Sequence, residues 1–306
     1  MSFSSESPRN WTDIGFRLLV NAASHPLEYA KVLIQLGYEP LPPYPSRTLF
    51  GKPAYALPNN FAYLSYIKKV DGFTGLYRGL SGKLCTQVVN ICVYNSTMDS
   101  LNQREKNQQR DDVNIEGYEL RLFLRDLSKE VVARSASVVV SHPFYVISVR
   151  MMAQFIGRET KYNSIFSSII EIYRENGVRG YFSGLVPRYL EEILSFVLTW
   201  GATYLICRYK SSDEDDFKYY LTTIASLIAK SITYPFLVVS TCMATTGSGL
   251  RAGCPPFMPL YRSSLECALN LSRNGDLKRG SGIFWRYYSG PPVFQTPSGP
   301  VYLGPL

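Results

Sequence analysis

Ser24-His25-Pro26-Leu27-Glu28-Tyr29-Ala30-Lys31 is the stretch on which the fold turns, because its opening tripeptide returns as Ser141-His142-Pro143. The chain has only two histidines, and each precedes one of these prolines inside an apolar run. A drifted third copy reads Thr233-Tyr234-Pro235. Pro26, Pro143 and Pro235 lie roughly a hundred residues apart, which marks an internal repeat. A second marker travels with the first. Asp71-Gly72-Phe73-Thr74-Gly75-Leu76-Tyr77-Arg78-Gly79-Leu80 resembles the run from Glu175 to Leu185, with Gly75 and Gly79 aligning on Gly180 and Gly184, and Lys83 on Arg188. The third copy is weak, Asn274-Gly275 followed by Gly280. Each unit reads as a proline-bearing helix, a loop, a short helix, a glycine turn and a second helix.

The units divide the chain. Residues 11–101 form the first repeat, with a proline-rich insertion at 38–60. Residues 102–118 are a polar linker, 119–210 the second repeat, 211–284 a degenerate third, and 285–306 a Pro/Gly-rich tail. The insertion holds Pro40, Pro42, Pro43, Pro45, Pro53 and Pro58, and an extended polyproline-like path is expected there. The acidic run Asp213-Glu214-Asp215-Asp216 reads as a solvated loop.

Five segments read as long helices, at about 11–37, 79–101, 125–157, 184–209 and 217–246. Each is long enough to cross a hydrocarbon core. Their polar residues fall on one face by helical spacing. The sets are Asn21, Ser24, Glu28, Lys31 and Gln35; Lys83, Gln87, Asn90 and Tyr94; Arg134, Ser137, Ser141, Tyr145 and Ser148; Arg188, Glu192, Ser195 and Thr199; and Thr223, Ser226, Lys230, Thr233 and Ser240. The rest of each surface is mostly Leu, Ile, Val, Ala and Phe. A soluble helical bundle would fill its polar faces with Lys and Glu. Stripes of Ser, Thr, Asn and Gln with one or two charges suit intramembrane helices. The expected fold class is therefore an all-α membrane protein, a pseudo-threefold helix bundle. Short amphipathic stretches at about 61–70, 163–176 and 261–274 fit either helices lying in the membrane interface or loop helices packed on the bundle end.

After Gly282 a sixth spanning helix is due. The tail instead carries Pro291, Pro292, Pro297, Pro300 and Pro305. Each interior proline costs a helix about 3 kcal/mol, so five spanning helices are expected, and a bundle missing one wall.

Composition narrows the function. The net charge of +8 suits an anionic membrane surface or nucleic acid. The basic residues are scattered and no nucleic-acid motif accompanies them, so no nucleic-acid partner is expected. Cys85, Cys92, Cys207, Cys242, Cys254 and Cys267 form no CxxC pair, and free thiols are expected. Residues 1–10 show neither a signal core nor a presequence pattern. No nucleophile–base set or phosphate-cradling loop appears, so no enzyme and no cofactor are expected. His25 and His142 lack a Cys/Asp/Glu set that would complete a metal site. Bonding backbone freed by the following proline is the simpler role.

Pro26-x-Glu28-x-x-Lys31 and the glycine turns resemble the signature of the mitochondrial carrier superfamily. In the second copy Tyr145 and Ser148 replace the acid and base, and in the third Leu237 and Ser240 do so. The run KVLIQLGYEPLPP from Lys31 to Pro43 is similar to the mitochondrial carrier homolog family in particular. So are Gln154 to Glu159, Gly184 to Arg188 and Gly253 to Pro256. The resemblance implies an outer-mitochondrial-membrane protein that inserts helical membrane proteins, tail-anchored ones included. It also implies roles in apoptotic signalling and lipid homeostasis. Membrane lipids, helical clients and an apoptotic-signalling protein are the partners it implies.

In transporting carriers the three acid/base pairs close a ring that must open and re-form. One of three survives here, so a gated solute carrier is disfavoured. A bundle lacking one wall would instead present its polar stripes sideways to lipid. The residues expected along such a groove are Glu28, Lys31, Lys83, Asn90, Arg150, Arg188, Glu192 and Lys230. Local ion pairs, Glu28 with Lys31 and Arg188 with Glu192, are the competing reading.

Overall fold

The computed structural model describes residues 11–47, 51–108, 118–209, 215–282, 284–288, 294–296 and 299–301. Five long helices dominate: α1 (Trp11–Gln35), α3 (Leu80–Gln108), α4 (Tyr118–Gly157), α6 (Leu185–Tyr209) and α7 (Asp215–Thr245). Three shorter ones, α2 (Asn60–Gly75), α5 (Ile165–Gly180) and α8 (Ser264–Arg273), follow the odd members of that set. Helix α3 runs on through residues 102–108, which the sequence pattern assigns to a linker. Residues 109–117 lie outside the described residues, as do 210–214 and with them part of the acidic run. Among the described residues, α4, α6 and α7 are both long and apolar enough to cross a bilayer. Helices α1 and α3 have the length and carry more polar side chains.

The repeat is visible as three sets of equivalent ties. Pro26, Pro143 and Pro235 lie inside α1, α4 and α7. The residue before each reaches across its own unit to the carbonyl that precedes the glycine turn. His25 Nε2 donates to Arg78 O at 3.0 Å, His142 Nε2 to Ser183 O at 3.0 Å, and Tyr234 Oη to Arg279 O at 2.8 Å. The imidazoles therefore do not serve the backbone beside their own prolines. They fasten the far end of the unit, and a tyrosine hydroxyl does the same work in the drifted third copy.

The glycine turns explain the lost basic positions. Gly79 and Gly184 stand at φ +82° and +77°, a region closed to most L side chains. Each is also pressed against the next odd helix. A Cβ on Gly184 would sit 2.6 Å from the Ser240 carbonyl oxygen, and one on Gly79 would sit 2.9 Å from that of Ser148. Ser148 Oγ donates to Gly79 O and Ser240 Oγ to Gly184 O, both at 2.9 Å. Where a carrier would hold a mobile gating cation, this chain has a short hydroxyl bonded to fixed backbone. Gly280 takes the third place, against the carbonyl of Lys31.

These ties all lie in the C-terminal halves of α1, α4 and α7, which converge. Tyr29, Leu33 and Ile34 share one buried core with Val146, Ile147, Val149 and Ala244, and Val238, Val239 and Cys242 form a second with Met258, Cys267 and Leu271. A buried amide bolts α1 to α7. Gln35 Nε2 donates to Tyr234 Oη at 3.0 Å, Gln35 Oε1 accepts from Thr241 at 3.1 Å, and its carbonyl accepts from Arg279 at 2.8 Å. The N-terminal halves differ. Phe16, Leu19 and Val20 on α1, and Ile224, Leu227 and Ile228 on α7, are exposed. That is the inverted pattern of helices facing lipid.

No sixth helix forms among the described residues. The chain turns at Gly282 and Arg286–Tyr287 adds as β3 to a hairpin, β1 (Tyr44–Arg47) and β2 (Pro53–Leu57), in the order β1-β2-β3. This corrects the polyproline-like expectation for 38–60. Pro45 sits on the edge strand and Pro53 opens β2, two places where a missing N–H is tolerated. Arg286 pairs with Glu39 and donates to Pro58 O at 3.0 Å, so the tail straps the third repeat onto the first. Burial pushes the Glu39 carboxyl up, with Arg286 opposing. Phe294–Thr296 and Gly299–Val301 pair as a second small hairpin, β4 and β5. Helices α2, α5 and α8 each bury one face and expose large apolar side chains on another, Phe61 and Phe73, Phe166 and Ile170, Leu265 and Leu269. Such exposed apolar faces are compatible with helices in a membrane interface.

Candidate functional site

The long helices follow one another around the bundle. Glu28 joins α1 to α3, Tyr94 with Glu130 joins α3 to α4, Ser135 with Tyr189 joins α4 to α6, and Thr203 with Thr222 joins α6 to α7. Between α7 and α1 no further long helix stands among the described residues. Ties between these two among the described residues fall at Lys31, Gln35, Tyr234, Thr241 and Cys242, in the C-terminal halves.

Just above that bolt the charges gather. The Lys31 ammonium lies 4.9 Å over the Tyr234 ring. Arg188 is buried on α6, with its guanidinium 4.3 Å over the Tyr145 ring and Nη1 3.4 Å from His142 Nδ1. Glu191 is within electrostatic reach of Glu192, Lys230, Arg188 and Lys31 together. Lys230 projects from α7 and is exposed although it lies on the inward stripe. Among the described residues no sixth helix covers it.

The geometry revises the sequence-derived set. Glu28 pairs with Lys83 across helices instead of with Lys31, and Lys31, left without an acid at Leu237, turns to the Tyr234 ring. Arg188 closes no ion pair with Glu192; it stacks on Tyr145 and feels Glu192 at longer range. Arg150 is not a groove residue. It is wholly buried in the convergent end, with Nε donating to Ala244 O at 2.9 Å and Nη1 donating to Tyr162 Oη at 3.3 Å and lying 3.8 Å from Glu175. Asn90 is half-buried on α3, and no contact joins it to the cluster among the described residues. The structure therefore brings together Lys31, Arg188, Glu191, Glu192 and Lys230.

Two groups escaped the sequence reading. Glu191 lies one residue off the chosen stripe, yet it stands three residues after Arg188, a spacing that could have found it. Glu130 is buried on α4, accepts from Tyr94 Oη at 2.7 Å and lies 3.5 Å from Arg134. The Arg134 guanidinium in turn lies 4.1 Å over Phe196, so α3, α4 and α6 are stapled at this level. Among the described residues no three His, Cys, Asp or Glu side chains gather as a metal site would require.

Comparison with known proteins agrees with this architecture. The family model for mitochondrial carrier proteins matches residues 123–213. Human mitochondrial carrier homolog 2 is 40% identical over 270 residues, covering 86% of this chain and 89% of its own. The mouse protein of that name is 39% identical over 286 residues, covering 91% and 92%. Mouse mitochondrial carrier homolog 1 is 34% identical over 301 residues, covering 90% and 76%.

Proposed function

Since the chain belongs to the mitochondrial carrier homolog family, we propose that it is an insertase of the mitochondrial outer membrane, spanning it with five helices. On this reading it moves α-helical proteins, tail-anchored ones included, into the bilayer through the gap between α1 and α7. The single observation that carries it is exposed Lys230 beside Glu191, Arg188 and Lys31 on the side of the bundle where the described residues supply no sixth helix. A charge at mid-bilayer costs a client about 2.5–3.5 kcal/mol on insertion scales. A polar seam beside lipid lowers that barrier by solvating the client's polar flank while its apolar helix slides out sideways. No covalent chemistry is needed. The same seam would solvate lipid headgroups, so lipid scrambling follows as a by-product.

The latches of Ser148 and Ser240 weigh against a solute carrier, because alternating access must break such contacts in every cycle. Purified protein in liposomes with a tail-anchored client tests the choice, scored by protease-protected insertion. Lys230→Leu and Glu191→Leu are each expected to lower insertion by about threefold or more, roughly 0.7 kcal/mol of barrier, with melting unchanged. If both variants insert as the parent does, the polarity of the seam has no role. Uptake of a small solute without client insertion would favour the carrier.

A further inference from the structure

We propose that Cys242 and Cys267 are an oxidisable dithiol, a modification site at which hydrogen peroxide forms a reversible disulfide between α7 and α8. Nothing in this rests on the insertase reading.

Both thiols are free and wholly buried, in one core with Val238, Val239, Met258 and Leu271. They lie within side-chain hydrogen-bonding reach of each other where α8 packs on α7. A thiol buried among apolar groups is ordinarily inert. Cys242 has a neighbour that alters this. Arg279 Nη2 donates to its Sγ at 3.6 Å, and the Gln35 carbonyl holds the same nitrogen at 2.8 Å. A positive charge is thereby fixed beside the sulfur, the setting in which cysteines act as nucleophiles. Arg279 also supplies a route. It lines a cavity of about 580 Å³ together with Asp276, Lys278 and Trp285. Peroxide in that cavity reaches the guanidinium that touches Cys242.

The Cys242 sulfur attacks one peroxide oxygen, the O–O bond breaks, and the departing hydroxide takes the thiol proton to leave as water. The Cys267 sulfur then attacks the sulfenic sulfur, the S–O bond breaks, and the Cys267 proton leaves with that oxygen as a second water. Two thiols are oxidised to one disulfide, and one peroxide is reduced to two waters. Oxidation also removes the S–H that Cys242 donates to Gln35 O at 3.5 Å. A covalent tie from α7 to α8 is gained as a weak one from α7 to α1 is lost.

The full chain in detergent tests this. It is treated with hydrogen peroxide, quenched with catalase, unfolded in N-ethylmaleimide and digested with trypsin. Cleavage after Lys230, Arg251, Arg262 and Arg273 leaves Cys242 in 231–251 and Cys267 in 263–273, with Cys254 on a peptide of its own. The expected product joins the first two peptides, at least about tenfold more abundant than any other cysteine pairing, and is lost on treatment with dithiothreitol. Recovery of both thiols unoxidised, or each carried separately to sulfinic acid, would overturn the proposal. This assay uses the parent chain and decides the pair whatever a variant does. Cys267→Ser is expected to stop the reaction at a Cys242 sulfenic acid, which dimedone traps. An unlabelled Cys242 there would overturn its role as the attacking sulfur. If that variant fails to fold, a brief peroxide pulse on the parent with dimedone present reads the same step. Adduct on Cys242 in about tenfold excess over Cys267 is expected, and the reverse excess would overturn the order of attack.

Discussion

Gly184→Ala is expected to lower the stability of the detergent-solubilised protein by about 3 kcal/mol, the strain of an L residue in left-handed geometry added to that of overpacking. The backbone stands at φ +77°. The new methyl would also meet the Ser240 carbonyl oxygen at 2.6 Å and Met243 Cβ at 3.2 Å. The oxygen is backbone of a packed helix and cannot swing aside, so relief requires α6 and α7 to part. Parting them breaks the Ser240 bond as well. Gly201→Ala, within the helix that Gly184 precedes, is the control, because nothing lies within 4 Å of its added carbon. That change is expected to be neutral or to stabilise by up to about 1 kcal/mol, alanine being the better helix former. A thermal melt of both variants decides. If Gly184→Ala melts with the parent, the inter-repeat latch does not hold the bundle as described.

Arg150→Leu is expected to cost about 3–5 kcal/mol, the range for breaking a buried ion pair by removing one partner. Arg150 is fully buried and binds three elements at once, α7 through Ala244 O, the loop before α5 through Tyr162, and α5 through Glu175. Leucine leaves the Ala244 carbonyl without this donor and Glu175 leaning on Lys161 and Tyr162 alone. The double variant Arg150→Leu with Glu175→Leu is expected to be less destabilised than the sum of the two singles, since it strands neither charge. Denaturant titration in detergent measures all three. A single-variant loss below about 1 kcal/mol, the level of an exposed pair, would return Arg150 to the wet groove.

The comparison between Glu28 and Arg150 shows where sequence reading reaches its limit. Both lie on helices whose spans were legible, and both belong to inward faces. Spacing offers Glu28 a local pair with Lys31 three residues on as the alternative to a groove role, but its partner is Lys83, on another helix and 55 residues away. Arg150 was placed in a polar groove, whereas it lies at the level where three helices converge on apolar neighbours. Helical period assigns a residue to a face; it does not say which neighbour that face meets, nor at what depth. The hairpin at 38–60 was missed for a related reason. Prolines suppress a strand prediction, and only pairing with residues 286–287 reveals that Pro45 and Pro53 occupy tolerated positions.

From sequence alone came the repeat, the five long helices and the proline-rich stretch where a sixth is due, because proline and glycine act on the backbone where they stand and apolar periodicity is read over a few turns. Only the tertiary structure decided that Ser148 and Ser240 are latches and that Glu191 is the acid among the cations. Each of those depends on backbone and side chains from different repeats arriving within hydrogen-bond or electrostatic range, and such distances are set by packing between helices, not by order along one.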